Sequence, residues 1–235
     1  MAHLSSICTK AEIWELRPQG SNPCRYVKCT PEVARKRDIE QSELEAIGKA
    51  ISDLENSCNP FALAAIKVIG LCAGRISEVL SLKWDKDLHL DEGYAFVRVH
   101  KTSKTEGAKY LELPPVAVDI IKSLPRVQDN PWEFPTRYAG QPFTRNGIRR
   151  IWTIICEQAK VADLHLHDFR SFAASEGLDQ GISPQIAATV LGHKNSRTTE
   201  KHYQKPRRRA TAEAAEKIFA PVAKAFGLEQ KKGDE

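Results

Sequence analysis

The sequence predicts a mainly α chain that carries one small antiparallel β-sheet. Three observations lead there. Apolar residues recur at helical spacing through 40–54, 60–72, 115–124, 144–162 and 183–191. One stretch, YAFVRVHK at 94–101, switches to period two, and KYLELP at 109–114 repeats that alternation. The TSKTEG between them has turn chemistry, so the pair reads as a hairpin. With 235 residues, 41% of them hydrophobic and 28% charged, the chain can bury a core as one large domain or two small ones.

The elements follow in order. AHLSSICTKAEIWEL reads as a short amphipathic helix, and RPQGSNPCRYVKCTPEVARKR, with its three prolines, as an extended linker. A helix restarts over Glu40 to Leu54. The next begins at Pro60 and runs apolar to Cys72, where Ala73 and Gly74 break it, and ISEVLSLKW continues in a new helix. Beyond the hairpin come VAVDIIKSL and then TRNGIRRIWTIICEQAKVA, with Thr144 as N-cap. HDFRSFAASEGLDQG ends at Gly181, and the helix after it opens on Ser183 as N-cap with Pro184 in first position. A last helix is expected around 211–227, and the KKGDE end reads as disordered.

Composition removes several classes. No apolar run approaches the roughly 20 residues of a membrane span. The first residues lack the long apolar segment of a secretory signal, so the expected location is the cytoplasm. Six cysteines without a CxxC pair read as reduced thiols, and no cofactor or metal is expected. His165 and His167 form an HxH without an evident third ligand. The net charge of +5 is modest, but Arg145, Arg149 and Arg150 cluster, as do Lys205, Arg207, Arg208 and Arg209. Such patches suit a phosphate backbone, although each alone is equally a solvated face.

Six residues carry candidate chemistry: Arg75, Lys104, His167, Arg170, His193 and Tyr203. Two guanidinium groups, proton carriers and a phenol are what phosphodiester transfer needs without metal or nucleotide. His167 and Arg170 lie one helical turn apart, yet HxxR by itself is more often a capping histidine and a surface arginine. Arg75 follows a helix break, where a side chain can project into a cleft, and Glu78 can hold it in position; a plain surface ion pair is the alternative. The hairpin offers Lys101, Lys104 and Lys109. Tyr203 precedes the second basic run, and its alternative is a packing tyrosine.

Taken in order, these segments resemble the tyrosine recombinases, the phage-integrase family. AGRISEVLSLKW looks like that family's first arginine box, and SKTEGAKYLELP like its hairpin lysine segment. LHLHDFRSFAAS resembles the HxxR box, and VLGHKNSRTTEKHY the closing histidine-to-tyrosine box. The resemblance covers about residues 40 to 205. It implies the tyrosine recombinase catalytic fold and a site-specific recombinase serving integration or excision of a mobile element. Tyr203 would attack the scissile phosphate to leave a 3′-phosphotyrosyl DNA. Arg75 and Arg170 would neutralise the non-bridging oxygens, and Lys104, with Lys101 as fallback, would protonate the departing 5′ oxygen. His167 would act as acid/base, His193 would hydrogen-bond the phosphate, and Glu78 would orient Arg75. Ser171 stands where the family often has a histidine or similar group.

The implied partner is double-stranded DNA, contacted by Lys101, Arg145, Arg149, Arg150, Arg207 and Arg208. On DNA the family assembles tetramers, and a monomer in isolation stays open; a bacterial, nucleoid-associated location follows. The implied organisation is a remnant core-binding helix and linker over 1–36, a catalytic domain over 37–228 and a disordered tail over 229–235. A binding module that keeps the fold without cleaving, a type IB topoisomerase and a metal-dependent nuclease are the rival readings.

Overall fold

The computed structural model describes residues 2–28, 37–98, 109–136 and 140–191. The chain divides into two compact units, Met1–Lys36 and Arg37–Glu235. In the first, helix α1 (Ala2–Ile13) is followed by turns instead of a fully extended linker. Asn22 fastens those turns: its amide nitrogen donates to the Ser5 carbonyl at 3.0 Å and the Thr9 hydroxyl at 3.0 Å, and its oxygen accepts from Cys24 N at 2.9 Å.

The second unit is built around α3 (Pro60–Cys72), whose sequence is apolar on nearly every side, so it is buried on nearly every side. Asn59 caps it by accepting from Phe61 N and Ala62 N, and Pro60 occupies a first-turn position where no amide donor is needed. Against it lie α4 (Ile76–Leu80), α6 (Pro115–Ser123) and α7 (Arg145–Ala159). Helix α2 (Gln41–Asp53) packs on α7 through Ile47, Ala50 and Ile51. Thr144 and Ser183 act as the N-caps their positions predict, accepting from Gly147 N and Ile186 N. These caps open α7 and α9 (Pro184–Val190), with α8 (Asp168–Asp179) between them.

The sheet has three antiparallel strands in the order β1 (Leu88–His89), β2 (Tyr94–Val97), β3 (Lys109–Glu112). Its register pairs Val97 with Lys109 and Ala95 with Leu111. Those residues share the core side, because side chains alternate along a strand. Tyr94, Phe96 and Tyr110 form an edge-to-face aromatic cluster on the other side.

Two expectations are corrected here. ISEVLSLKW is not one helix: α4 stops at Leu80, and α5 (Trp84–Asp87) is a separate turn. Between them the chain pairs with a distant segment, Lys83 bridging Trp132 and Leu82 O accepting from Glu133 N at 3.0 Å. The linker reading of 17–28 gives way to turns, as described above. The expected last helix and tail lie outside the described residues.

Candidate active site

Helix α3 ends with Ala73 in the left-handed region at φ 48°, which turns the chain sharply toward α4. Gly74 follows because nothing larger fits: a Cβ there would sit 2.8 Å from Val79 Cγ2 and 3.4 Å from Leu111 Cδ1. The turn is thereby pressed against β3, and Arg75 leaves it directly.

Arg75 meets Glu78, as the spacing predicts, with Nη1 2.6 Å from Oε1. This is not the surface ion pair of the plainer reading. Glu78 is only 1% exposed, and it accepts two further hydrogen bonds, from the Arg75 backbone N at 3.2 Å and from Lys109 Nζ at 2.8 Å. Burial pushes the Glu78 carboxyl up, but the hydrogen bonds from Lys109 and Arg75 outweigh it, and the group is held below its ordinary value as a carboxylate. Lys109 moves down, first through burial and also through the neighbouring Arg75 and Arg170, against the pull of Glu78.

Arg170 reaches the same turn from α8. It is buried, 5% exposed, and its Nη1 donates to the Ala73 carbonyl at 2.8 Å while Nη2 donates to the Leu191 carbonyl. Burial, helped by the nearby Arg75, lowers its pKa to about 10, which leaves it cationic at neutral pH. Arg75, Lys109 and Arg170 against one carboxylate leave the cluster with a surplus of positive charge. Such a cluster suits an anion whose negative charge grows as it reacts.

His167 is exposed and occupies the N-cap position of α8, three residues before Arg170. It lines an open groove of about 870 Å³ together with His165, Arg149, Trp152 and Lys160. Neither Arg75 nor Arg170 lines that groove, so it sits beside the arginine cluster instead of over it. The loop entering α8 is fixed by Trp152 Nε1, which donates to Leu164 O at 2.8 Å, and by the Trp152–Phe169 ring contact. Asp168 Oδ2 accepts from His165 N at 2.8 Å. Among the described residues no three His, Cys, Asp or Glu converge as a metal site.

Arg145, Arg149 and Arg150 are exposed along the first turns of α7. Lys101, Lys104, His193, Tyr203, Arg207 and Arg208 lie outside the described residues. Lys109 is the residue that the sequence-based selection passed over. The signal was present: in KYLELP the apolar residues fall at 111 and 113, so the same parity sends Lys109 inward.

The phage integrase family matches residues 37–229, most of the chain. The chain belongs to that family. Among curated proteins, the prophage integrase IntF of Escherichia coli K12 is 24% identical over 187 residues, 76% of this chain and 38% of that protein. Tyrosine recombinase XerC of Halalkalibacterium halodurans is 26% identical over 189 residues, 74% of this chain and 58% of that protein. The chain thus spans between 38% and 58% of the length of these curated relatives.

The fold is shared with solved recombinases. A Tn1549 transposon integrase, in complex with transposon right end DNA, superposes with a TM-score of 0.66 at 15% identity, covering 90% of this chain and 76% of that one. A lambda integrase dimer bound to a core site gives 0.60 at 18% identity over 88% and 72%. This integrase-family chain therefore has the mainly α recombinase fold with a small antiparallel sheet that the resemblance implies, β1 joining the two strands that the periodicity predicts.

Proposed function

We propose that this chain is the DNA strand-transferring part of a site-specific tyrosine recombinase that integrates or excises a mobile element. The observation that carries the reading is the buried Glu78 holding Arg75 beside Arg170, a cationic seat built from two segments far apart in sequence.

In this reading the Tyr203 phenolic oxygen attacks phosphorus. The bond from phosphorus to the 5′ oxygen breaks, and a 3′-phosphotyrosyl linkage forms. The phenolic proton passes to His167, and Lys104 (or Lys101) gives a proton to the departing 5′ oxygen, leaving a free 5′-hydroxyl. Arg75, Arg170 and His193 hold the non-bridging oxygens as their charge rises. The covalent linkage keeps the bond energy, so rejoining needs neither ATP nor metal. Arg145, Arg149, Arg150, Arg207, Arg208 and Lys101 contact the duplex backbone.

The wider assignment follows from the same reading: double-stranded DNA as partner, a homo-tetramer on DNA, and a bacterial nucleoid location. Residues 1–36 serve as the end of a core-binding domain and its linker, 37–228 as the catalytic domain and 229–235 as a tail.

The test is relaxation of supercoiled plasmid at low salt with a chelator present, alongside a denaturing gel for covalently attached protein. Relaxation and adduct that both vanish in Tyr203→Phe, with DNA binding retained, are expected. Adduct that persists in Tyr203→Phe removes the nucleophile; activity that the chelator abolishes removes metal-free chemistry.

A further inference from the structure

Lys109 is a cation drawn into the core side of a sheet, and nothing in the proposed reaction uses it. Its side chain is 16% exposed, and its ammonium is set on Glu78 Oε2 at 2.8 Å. Glu78 in turn gives its other oxygen to the Arg75 guanidinium at 2.6 Å. One buried carboxylate therefore joins a strand of the sheet to the first arginine.

The register sets the join against the Gly74 turn. Lys109 opens β3 opposite Val97, and two residues on Leu111 packs on the Gly74 turn from which Arg75 emerges. The fixing point thus lies where the strand leaves the 99–108 connection, the segment that carries Lys101 and Lys104. Without Lys109, Glu78 keeps the Arg75 guanidinium as its only side-chain cation among the described residues, and its second oxygen is left with the Arg75 backbone N at 3.2 Å. A carboxylate this deeply buried tolerates the loss of a donor poorly.

We infer that Lys109 is a positioning residue for strand transfer: through Glu78 it fixes the Arg75 guanidinium to the base of the lysine-bearing hairpin, so that both meet the same phosphate. This rests on the strand-transfer reading above. It assigns Lys109 no proton transfer and no contact with DNA.

A leaving group that departs without a proton separates the possibilities. The probe is a DNA hairpin duplex whose 3′ end carries a p-nitrophenyl phosphodiester. Attack by Tyr203 there releases p-nitrophenolate, and no acid is needed. Lys109→Met is expected to slow that release on the order of tenfold to a hundredfold, as misplacement of a catalytic group does, with binding of the duplex unchanged. Lys109→Arg, which restores a cation to Glu78, should recover most of the rate. Glu78→Gln combined with Lys109→Met should be no slower than Glu78→Gln alone, because both act through one carboxylate. Should the Met variant fail to fold, Lys109→Gln, a polar but shorter and uncharged side chain that removes the cation from Glu78, carries the same expectation.

Unchanged release in Lys109→Met overturns the inference. So does a defect confined to plasmid relaxation, which would make Lys109 a proton donor. Losses that add in the double variant overturn it as well. Wild-type release no faster than that of Tyr203→Phe removes the strand-transfer reading, and the inference with it.

Discussion

Glu78 and Glu133 are the same side chain at nearly the same depth, 1% and 0% exposed, in opposite electrostatic states. Glu78 has a cation on each oxygen and is ionised. Glu133, between Trp132 and Phe134, has no hydrogen-bond partner for either oxygen among the described residues. Burial drives its pKa up to about 8, and Arg126 opposes this only weakly. Depth alone therefore does not decide charge. A buried carboxylate stays charged where two elements deliver donors to it, and takes up a proton where none do.

The two groups give opposite pH slopes. Glu78 has a folded pKa below its ordinary value of 4.5, so its contribution is present above that value and fades as pH falls through the folded pKa. Glu133 binds a proton in the folded chain up to about 8 but only up to about 4.5 when unfolded, so its contribution is full below 4.5 and lost as pH rises toward 8.

The hardest blow to this contrast is Glu78→Leu. Removing the hub leaves Lys109 and Arg75 without their common partner, and a loss of about 3–5 kcal/mol in urea unfolding at pH 7 is expected. A loss under about 1 kcal/mol would show that the cluster is no structural junction. Next comes Glu133→Leu, which replaces an unpartnered carboxyl by an apolar group of similar size. It should stabilise the chain by about 1–3 kcal/mol at pH 8 and flatten the melting temperature across the window from 4.5 to 8. An unchanged slope would mean that Glu133 finds a partner.

Gly74→Ala sharpens the comparison from the backbone side. Its methyl would crowd the buried Val79 at 2.8 Å and displace Arg75 from Glu78, for about 1–3 kcal/mol and a measurable drop in relaxation rate. Stability lost with full activity would uncouple the turn from the site. Smallest is Arg149→Ala on the exposed face of α7. It should leave stability within about 0.5 kcal/mol. The slope of log affinity against log salt should become shallower by about 0.9. An unchanged slope would take Arg149 off the DNA-facing surface.

The legible parts of this fold are those that local chemistry decides. Asn59–Pro60, Thr144 and Ser183–Pro184 open their helices where side-chain oxygens and a donor-free proline favour it. The alternation of 94–97 and 109–112 marks strands because one face is apolar. What stayed hidden depends on partners distant in sequence. The break after Leu80 follows from pairing with residues some fifty positions on, and β1 is two residues long and exists only because β2 lies beside it. Glu40 caps α2 without the usual hydroxyl or amide, through Glu43 accepting from its backbone N at 3.1 Å. At the site, the Arg75–Glu78 pair was readable at helical spacing, whereas the burial of Glu78 and the arrival of Lys109 required the sheet.

The two arginines are anchored in different currencies, and that bears on how this family can diverge. Arg170 is held by the carbonyls of Ala73 and Leu191, groups that every amino acid supplies. Arg75 is held through a carboxylate that a lysine side chain also needs. At positions 73 and 191 the contact to the second arginine comes from the backbone, so the side chains there answer to the left-handed turn and to the core instead. Positions 78 and 109 are bound to change together, so their paired substitution across relatives is the trace this junction would leave in an alignment.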